Sequence, residues 1–310
     1  MKPIRIRLSY GTAVKMGLHR GRMLAEPTTA YIMLGEKCVS NCSFCSQRRD
    51  ARREGYLSRI LWPEYHVSVL KNIRGFSRIC FQTLDYPEVV EDLLSILPIL
   101  PDIPVSVSIV PISREDMKKL RDAGVEILSI ALDAANPKLF DRVKGKDVGN
   151  RFTWSSHWNA LLQAREIFGA ANTHLIVGLG EEDLDIYTLM EKLYEIGITV
   201  ALFSYTPVLG GSAPPVGRYR AIQLSRYLIF KGYREFAEFE DGKISSISIP
   251  EDEMGNVLRG IPFLTSGCPG CNRPFYNERP GGMIYNYPNL PGEEEIRMVM
   301  KQLTSYLNLR

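Results

Sequence analysis

Thr29-Ala30-Tyr31-Ile32-Met33-Leu34-Gly35-Glu36-Lys37-Cys38-Val39-Ser40-Asn41-Cys42-Ser43-Phe44-Cys45 joins an apolar run of strand length to a CxxxCxxC motif. Three thiols packed so tightly suit a metal cluster that leaves one coordination position unfilled, and Phe44 stands just before the last of them. An open iron binds and activates a small molecule, so the motif points to chemistry rather than to scaffolding.

Outward from this stretch, apolar runs alternate with amphipathic ones. The strand candidates are Thr29–Leu34, Arg78–Thr83, Pro104–Val110, Glu126–Leu132, Asn172–Gly178 and Thr199–Thr206. The helix candidates are Pro63–Ile73, Glu88–Ile96, Ser113–Ala123, Trp154–Phe168, Glu182–Ile196 and Arg218–Lys231. Six β-then-α units in series predict an α/β fold with a parallel sheet and right-handed crossovers. A full TIM-type barrel has eight units, so the expectation is a partial (β/α)6 barrel. The loops at the C-terminal strand ends build the active site of such a barrel, and the cysteine motif falls there. An N-terminal extension over 1–28, a barrel over 29–235 and a C-terminal segment over 236–310 complete the expected organisation. Past about Glu235, Gly, Pro and Asn become frequent and the alternation stops. A closing helix is expected from about Gly292, with Glu293, Glu294 and Glu295 at its positive end and Ile296, Val299, Leu303 and Leu307 as its apolar stripe.

Strand phase predicts what lines the lumen. Val105, Val107 and Ile109 share one face and should meet the helices, which turns Ser106 and Ser108 inward. The same reasoning turns Cys80 and Gln82 inward, then Ser129 and Asp133, then Asn172 and His174. This lumen is too polar for a filled core and reads as a cavity that holds ligands.

The 310 residues carry a net charge of +3, with 45% hydrophobic and 24% charged residues. That is an ordinary globular mixture, large enough to bury a core without disulfides. The charge gives no case for nucleic acid. The start has no continuous apolar stretch, and no run approaches the roughly 20 residues of a membrane span. A cytoplasmic location with no membrane partner is therefore expected. In that compartment the six cysteines are expected to be ligands rather than disulfides. They form two groups, Cys38, Cys42 and Cys45, then Cys80, Cys268 and Cys271. A competing arrangement is a split zinc ribbon of Cys42 and Cys45 with Cys268 and Cys271, the mark of a non-catalytic zinc-binding interaction protein.

The CxxxCxxC after strand one, Phe44 and the run Gly178-Leu179-Gly180-Glu181 after strand five resemble the radical S-adenosylmethionine (SAM) superfamily. The resemblance spans roughly Thr29 to Arg234. It implies that Cys38, Cys42 and Cys45 hold a [4Fe–4S] cluster, that SAM chelates the fourth iron, and that reductive cleavage releases a 5′-deoxyadenosyl radical. An electron donor such as ferredoxin is implied as well. Phe44 belongs to the implied SAM site. Asp133, in Ala131-Leu132-Asp133-Ala134-Ala135-Asn136, resembles a biotin synthase segment that contacts the SAM ribose or the substrate. A helix N-cap is the other reading of Asp133. Gly178 and Gly180 would let the backbone approach the adenosine, or would end a strand in a plain turn. His174 is the inward histidine, a candidate polar contact to SAM or substrate. The superfamily's Gly-Gly-Glu element is absent, and Thr83-Leu84-Asp85-Tyr86 stands in its place.

For the second group, the C-terminal segment is expected to close the barrel mouth and complete an auxiliary iron–sulfur cluster from Cys80, Cys268 and Cys271. Ser266 is a candidate fourth ligand. Separate roles, a buried Cys80 and a redox-active CxxC, are the rival. Cys80 matches a strand-two ligand of biotin synthase, whereas Ser106 and Asn172 stand where that family has other ligands. The tail, Cys268-Pro-Gly-Cys271 followed by Asn272 and then Arg-Pro-Phe-Tyr-Asn-Glu-Arg-Pro-Gly-Gly, is similar to the two-component lipoyl synthases of archaea. That similarity implies sulfur insertion into an unactivated C–H bond by a lipoyl synthase component. The substrate would be an octanoyl-lysyl lipoyl carrier protein, with a homologous partner subunit for the other insertion. Biotin-type sulfur insertion, rearrangement and cofactor maturation are the neighbouring alternatives. Arg48, Arg49, Arg52 and Arg53 form either a solvated surface or a patch that steers an acidic carrier.

Overall fold

The alternation of apolar runs becomes one eight-stranded sheet. The computed structural model describes residues 4–51, 56–57, 60–276, 278 and 281–310. Its strands are β1 (Arg5–Leu8), β2 (Thr29–Leu34), β3 (Glu64–His66), β4 (Arg78–Thr83), β5 (Val105–Ser108), β6 (Val125–Ser129), β7 (Ala171–Val177) and β8 (Ile198–Ser204). The spatial order is β8-β7-β6-β5-β4-β2-β1-β3. The six expected strands, β2 and β4 to β8, run parallel. β1 and β3 extend the sheet antiparallel beside β2. The fold is thus α/β with a mostly parallel central sheet.

Nine α-helices are present among the described residues: α1 (Tyr10–Lys15), α2 (Val89–Ile96), α3 (Arg114–Asp122), α4 (Pro137–Val143), α5 (Trp154–Phe168), α6 (Asp183–Glu195), α7 (Val216–Phe230), α8 (Glu251–Leu258) and α9 (Glu293–Thr304). Ser113 caps α3 and Thr153 caps α5 through their hydroxyls, as helix starts require. Ile79, Phe81, Val107, Leu128 and Leu175 pack outward against Leu93, Leu120 and Leu161 of the helices, all fully buried in one core. The strand phase read from the sequence is the phase observed. None of the helices among the described residues is long and apolar enough to cross a membrane.

Two expectations change. Pro63–Ile73 is not an α-helix: Glu64–His66 pairs with β1, and Val67–Asn72 follows as a 3-10 turn. The open edge of β1 offers backbone hydrogen bonds there, and Tyr65 favours the extended chain.

The second change concerns the C-terminal segment. Residues 264–276 do not close the barrel mouth; they enter at the opposite end, where the strands begin. Thr28, just before β2, donates its hydroxyl to Gly270 O (2.6 Å), and its N–H donates to Asn272 Oδ1 (3.0 Å). The chain then rises inside the sheet. Arg273 N–H donates to the Tyr31 hydroxyl at 2.8 Å, the Arg273 guanidinium sits 4.0 Å from the Phe203 ring centroid, and the Tyr276 hydroxyl donates to Gln82 Oε1. The cause is polar demand within an open lumen. Leu202 N–H of β8 finds the Ser266 hydroxyl at 2.9 Å, a partner no neighbouring strand supplies.

The neck of this inserted loop is pinned to α7. Leu264 and Tyr287 form a bridge, and Thr265 N–H donates to Tyr287 O at 3.0 Å. The fully buried Arg220 of α7 donates to Tyr285 O (2.6 Å), Ile284 O and Gln223 Oε1. Arg220→Met would leave both carbonyls without that donor. A loss of about 2–4 kcal/mol of unfolding free energy is expected in anaerobic denaturant titration.

Candidate active site

The cysteine loop after β2 is held from two sides. Val39 N–H donates to Asp85 O at 2.8 Å, and Ser43 N–H donates to Val143 O at the end of α4, also at 2.8 Å. Asn150 Oδ1 accepts from Asn41 N–H at 2.7 Å, while its Nδ2 reaches Cys42 Sγ at 3.6 Å. Gln47 N–H points at Cys45 Sγ at 3.4 Å. The Asp85 carboxylate accepts from the Ser40 hydroxyl and pairs with Arg151 at 2.7 Å. The acid that stands in place of Gly-Gly-Glu therefore braces the loop, while Thr83 and Leu84 line the cavity beside it.

Burial pushes the thiols up, Cys42 to about 12 and Cys45 to about 11, and Cys38 rises for the same reason. Lys144 opposes this at all three. Its ammonium is buried, 2.7 Å from Asp133 Oδ2 and 2.6 Å from Ala131 O. Three thiols beside one fixed cation, with Cys45 and Phe44 facing open space, are a fitting donor set for an anionic cluster with one free metal position. Among the described residues no three His, Cys, Asp or Glu side chains close around a single ion. Ligands to different irons of one cluster stand further apart than ligands sharing one ion.

The cavity above the strands has a volume of about 250 Å³. Phe44, Cys45, Gln82, Ser108, Asp133 and His174 are among its walls. Asp133 adopts φ 62 and continues the sheet ladder, donating from N–H to His174 O at 2.8 Å. It does not cap a helix; Asn136 caps α4 instead. Gly178 and Gly180 do not line the cavity. Glu181 folds back to accept from the N–H groups of Gly178 (2.7 Å), Leu179 (2.9 Å) and Gly180 (3.1 Å), with Arg218 2.9 Å from its carboxylate. The two glycines, at φ 104 and 115, serve this turn, and Pro214 and Arg142 fill the space where side chains would go.

The second group assembles below. Cys268 and Cys271 from the inserted loop lie close enough to raise the Cys80 thiol, which burial pushes to about 12. The Ser106 hydroxyl stands beside Cys80 and Cys268 and donates to Ile79 O at 3.4 Å. Asn172 Nδ2 is 2.9 Å from Cys268 Sγ, and the Tyr31 hydroxyl is 3.2 Å from Cys271 Sγ. The split zinc ribbon does not form, because the tail pair joins Cys80 and not Cys42 and Cys45. Ser266 has its hydroxyl on the β8 backbone. Tyr276 separates the two groups, edge-on to Tyr31, Trp62 and Phe203 and within electrostatic range of both Cys80 and Cys45. Sequence reasoning missed Lys144, Asn150, Arg273 and Tyr276, whose partners are distant in the chain. Arg52, Arg53, Asn277, Arg279 and Pro280 lie outside the described residues; Arg49 pairs with Asp50 at 3.4 Å.

The family model described as Radical SAM superfamily matches residues 32–193, more than half of the chain. Among solved structures, methylornithine synthase (PylB) is similar at 16% identity and TM-score 0.50, over 66% of this chain and 63% of that one. The FeFe-hydrogenase maturase HydG from Carboxydothermus hydrogenoformans is similar at 22% identity and TM-score 0.52, over 72% and 54%. A second HydG structure gives 14% identity and TM-score 0.55, over 88% and 62%. The chain spans less than two thirds of each of these, and at such identities the likeness is one of fold. No curated protein matches the chain.

Burial holds the His174 ring near pKa 4, with Arg273 and Lys144 adding to the effect against Asp133. The ring is neutral in the folded protein at pH 7, whereas the unfolded chain takes up that proton below about pH 6.5. Stability is therefore lost as pH falls from about 6.5 toward 4. Urea titrations at several pH values should show a shallower acid slope for His174→Gln, by up to about 1.4 kcal/mol per pH unit.

Proposed function

The chain belongs to the radical SAM superfamily, and we propose that within it this protein inserts sulfur into an unactivated C–H bond as a lipoyl synthase component. Membership implies a [4Fe–4S] cluster and SAM. Together these supply, when bound, the one-electron sulfonium cleavage that yields a deoxyadenosyl radical. In this reading Cys38, Cys42 and Cys45 hold the cluster, and Lys144 offsets its negative charge. The Gln47 N–H and the Asn150 amide orient toward the sulfurs. Phe44, Gln82, Asp133 and His174 shape the SAM and substrate cavity and keep it low in water. Gly178 and Gly180 act one step away, through the Glu181 turn.

One observation carries the sulfur-insertion reading. Cys80, from a strand, meets Cys268 and Cys271, from the tail, directly beneath the cavity and behind Tyr276. An auxiliary iron–sulfur cluster held there would place a sulfur source on the inner side of a substrate whose other side faces SAM. Tyr31 and Asn172 offer the trio polar hydrogens that suit sulfide and thiolate acceptors. The proposed substrate is an octanoylated lipoyl carrier protein. A homologous partner subunit performs the other insertion, and a donor such as ferredoxin supplies electrons.

Anaerobic reconstitution tests this. Wild type should bind about eight irons and Cys271→Ala about four. Cys271→Ala should keep forming 5′-deoxyadenosine but give no thiolated octanoyl product by mass spectrometry. Cys42→Ala should lose deoxyadenosine formation altogether. Normal product yield from Cys271→Ala would end the sulfur-source assignment.

A further inference from the structure

Three buried polar atoms at the base of the lumen find no hydrogen-bond partner among the described residues: Nε and Nη1 of Arg78 and the hydroxyl of Thr29. They belong to one spot. Thr29 and Arg78 are register partners at the starts of β2 and β4. Tyr31 and Cys80 are partners two residues further on, so strand alternation puts Thr29 and Arg78 on the inner face that carries the second cysteine group. Arg78 is 5% exposed and Thr29 is fully buried. The remaining nitrogen, Arg78 Nη2, is 2.9 Å from Glu126 Oε2, whose side chain is half in solvent. Arg78 lies within electrostatic range of Cys268, and Arg273 within range of both Cys268 and Cys80.

Dry, unpaired guanidinium N–H groups cost free energy that a bound acceptor would restore. The charges around the two cysteine groups also differ. Beside Cys38, Cys42 and Cys45, Lys144 stands against Asp133 and Asp85. Beside Cys80 and Cys268 stand two cations. Arg78 has only the half-solvated Glu126, and the Arg273 guanidinium donates to the carbonyls of Ser266 (2.8 Å) and Leu202 (3.5 Å), with no carboxylate on it among the described residues.

We propose that Arg78 is a direct partner of an anionic, sulfide-bearing group held by Cys80, Cys268 and Cys271, and that with Arg273 it makes this centre easier to reduce than the one at Cys38, Cys42 and Cys45. The Nε–H and Nη1–H of Arg78 donate to the sulfur acceptors of that group. Reduction adds negative charge, which near cations favour in a poorly solvated site, and hydrogen bonds to cluster sulfurs act in the same direction. An electron from a low-potential donor therefore settles first at the Cys80 centre. That an iron–sulfur group sits on this trio rests on the sulfur-insertion reading; the orphaned donors of Arg78 and the excess of cations do not.

The test is an anaerobic redox titration of the reconstituted full-length protein, followed by electron paramagnetic resonance, with Cys271→Ala and Cys42→Ala assigning the signal of each centre. In wild type the Cys80 centre should have the higher midpoint. At any applied potential its reduced-to-oxidised ratio should exceed that of the Cys38 centre about tenfold or more, which is about 59 mV for a one-electron couple. Arg78→Gln should lower this midpoint by a similar amount and leave the other in place. Arg78→Lys, which keeps the charge but loses the paired N–H groups, should fall between. Glu126→Gln alters only a half-exposed side chain and should raise the midpoint, so the charge argument is tested even where Arg78→Gln assembles poorly. Equal or inverted midpoints in wild type overturn the proposal, as does a Cys80 midpoint that neither substitution moves. A wild type that binds only about four irons overturns it together with the auxiliary-cluster reading. Inverted midpoints alongside normal thiolated product would remove the role of Arg78 and leave sulfur insertion standing. Midpoints in the proposed order with no thiolated product would keep that role and remove sulfur insertion.

Discussion

The insertion of residues 264–276 into the lumen is the arrangement on which the rest depends. Six parallel strands curve without completing a barrel, and their inner face carries Cys80, Ser106, Asn172 and the open backbone of β8. Such groups cannot be left dry and unpaired. The tail meets part of this demand: Cys268 accepts from the Asn172 amide and the Ser266 hydroxyl from Leu202 N–H, while Asn272 and Arg273 pair with Thr28 and Tyr31 beside them. Arg220 then fastens the neck of the loop to α7. One segment thus reaches polar groups of β2, β7 and β8, delivers two cysteines to Cys80 and raises Tyr276 as the floor of the upper cavity.

Charge is placed with equal economy around the upper group. Lys144 is the near cation for three thiols and is itself held by Asp133, so the site carries a buried positive charge without an isolated one. Asp85 is drawn away from the cavity by Ser40 and Arg151. Asp85 therefore acts as a brace for the loop, and Asp133, which does line the cavity, is neutralised there by Lys144.

Much of this was legible in the residues. The strands over Thr29–Leu34 and Arg78–Thr83 fall where the apolar runs place them, because period-two alternation against a helix layer is a local signal. The inward set of Cys80, Ser106, Asn172 and His174 follows from the same phase. The pairing of Cys80 with Cys268 and Cys271 was reachable from thiol arithmetic. The side from which the tail arrives was not, since nothing near Cys268 encodes the polar demand of β2 and β8. The Pro63–Ile73 segment misleads because the free edge of β1 outweighs its own spacing. Gly178 and Gly180 mislead in another way: their positive φ is real, but Glu181 uses the N–H groups they expose.

By itself the sequence determined the parallel α/β framework, the position of Cys38, Cys42 and Cys45 after the first barrel strand, and a polar lumen. These are matters of short-range periodicity and spacing. Only the tertiary structure decided that Lys144 lies beside the thiols, that the tail fills the lumen from its base, and that Tyr276 divides the two cysteine groups. Those outcomes depend on which buried polar groups lack partners once the sheet has curved, and that is a property of the assembled chain.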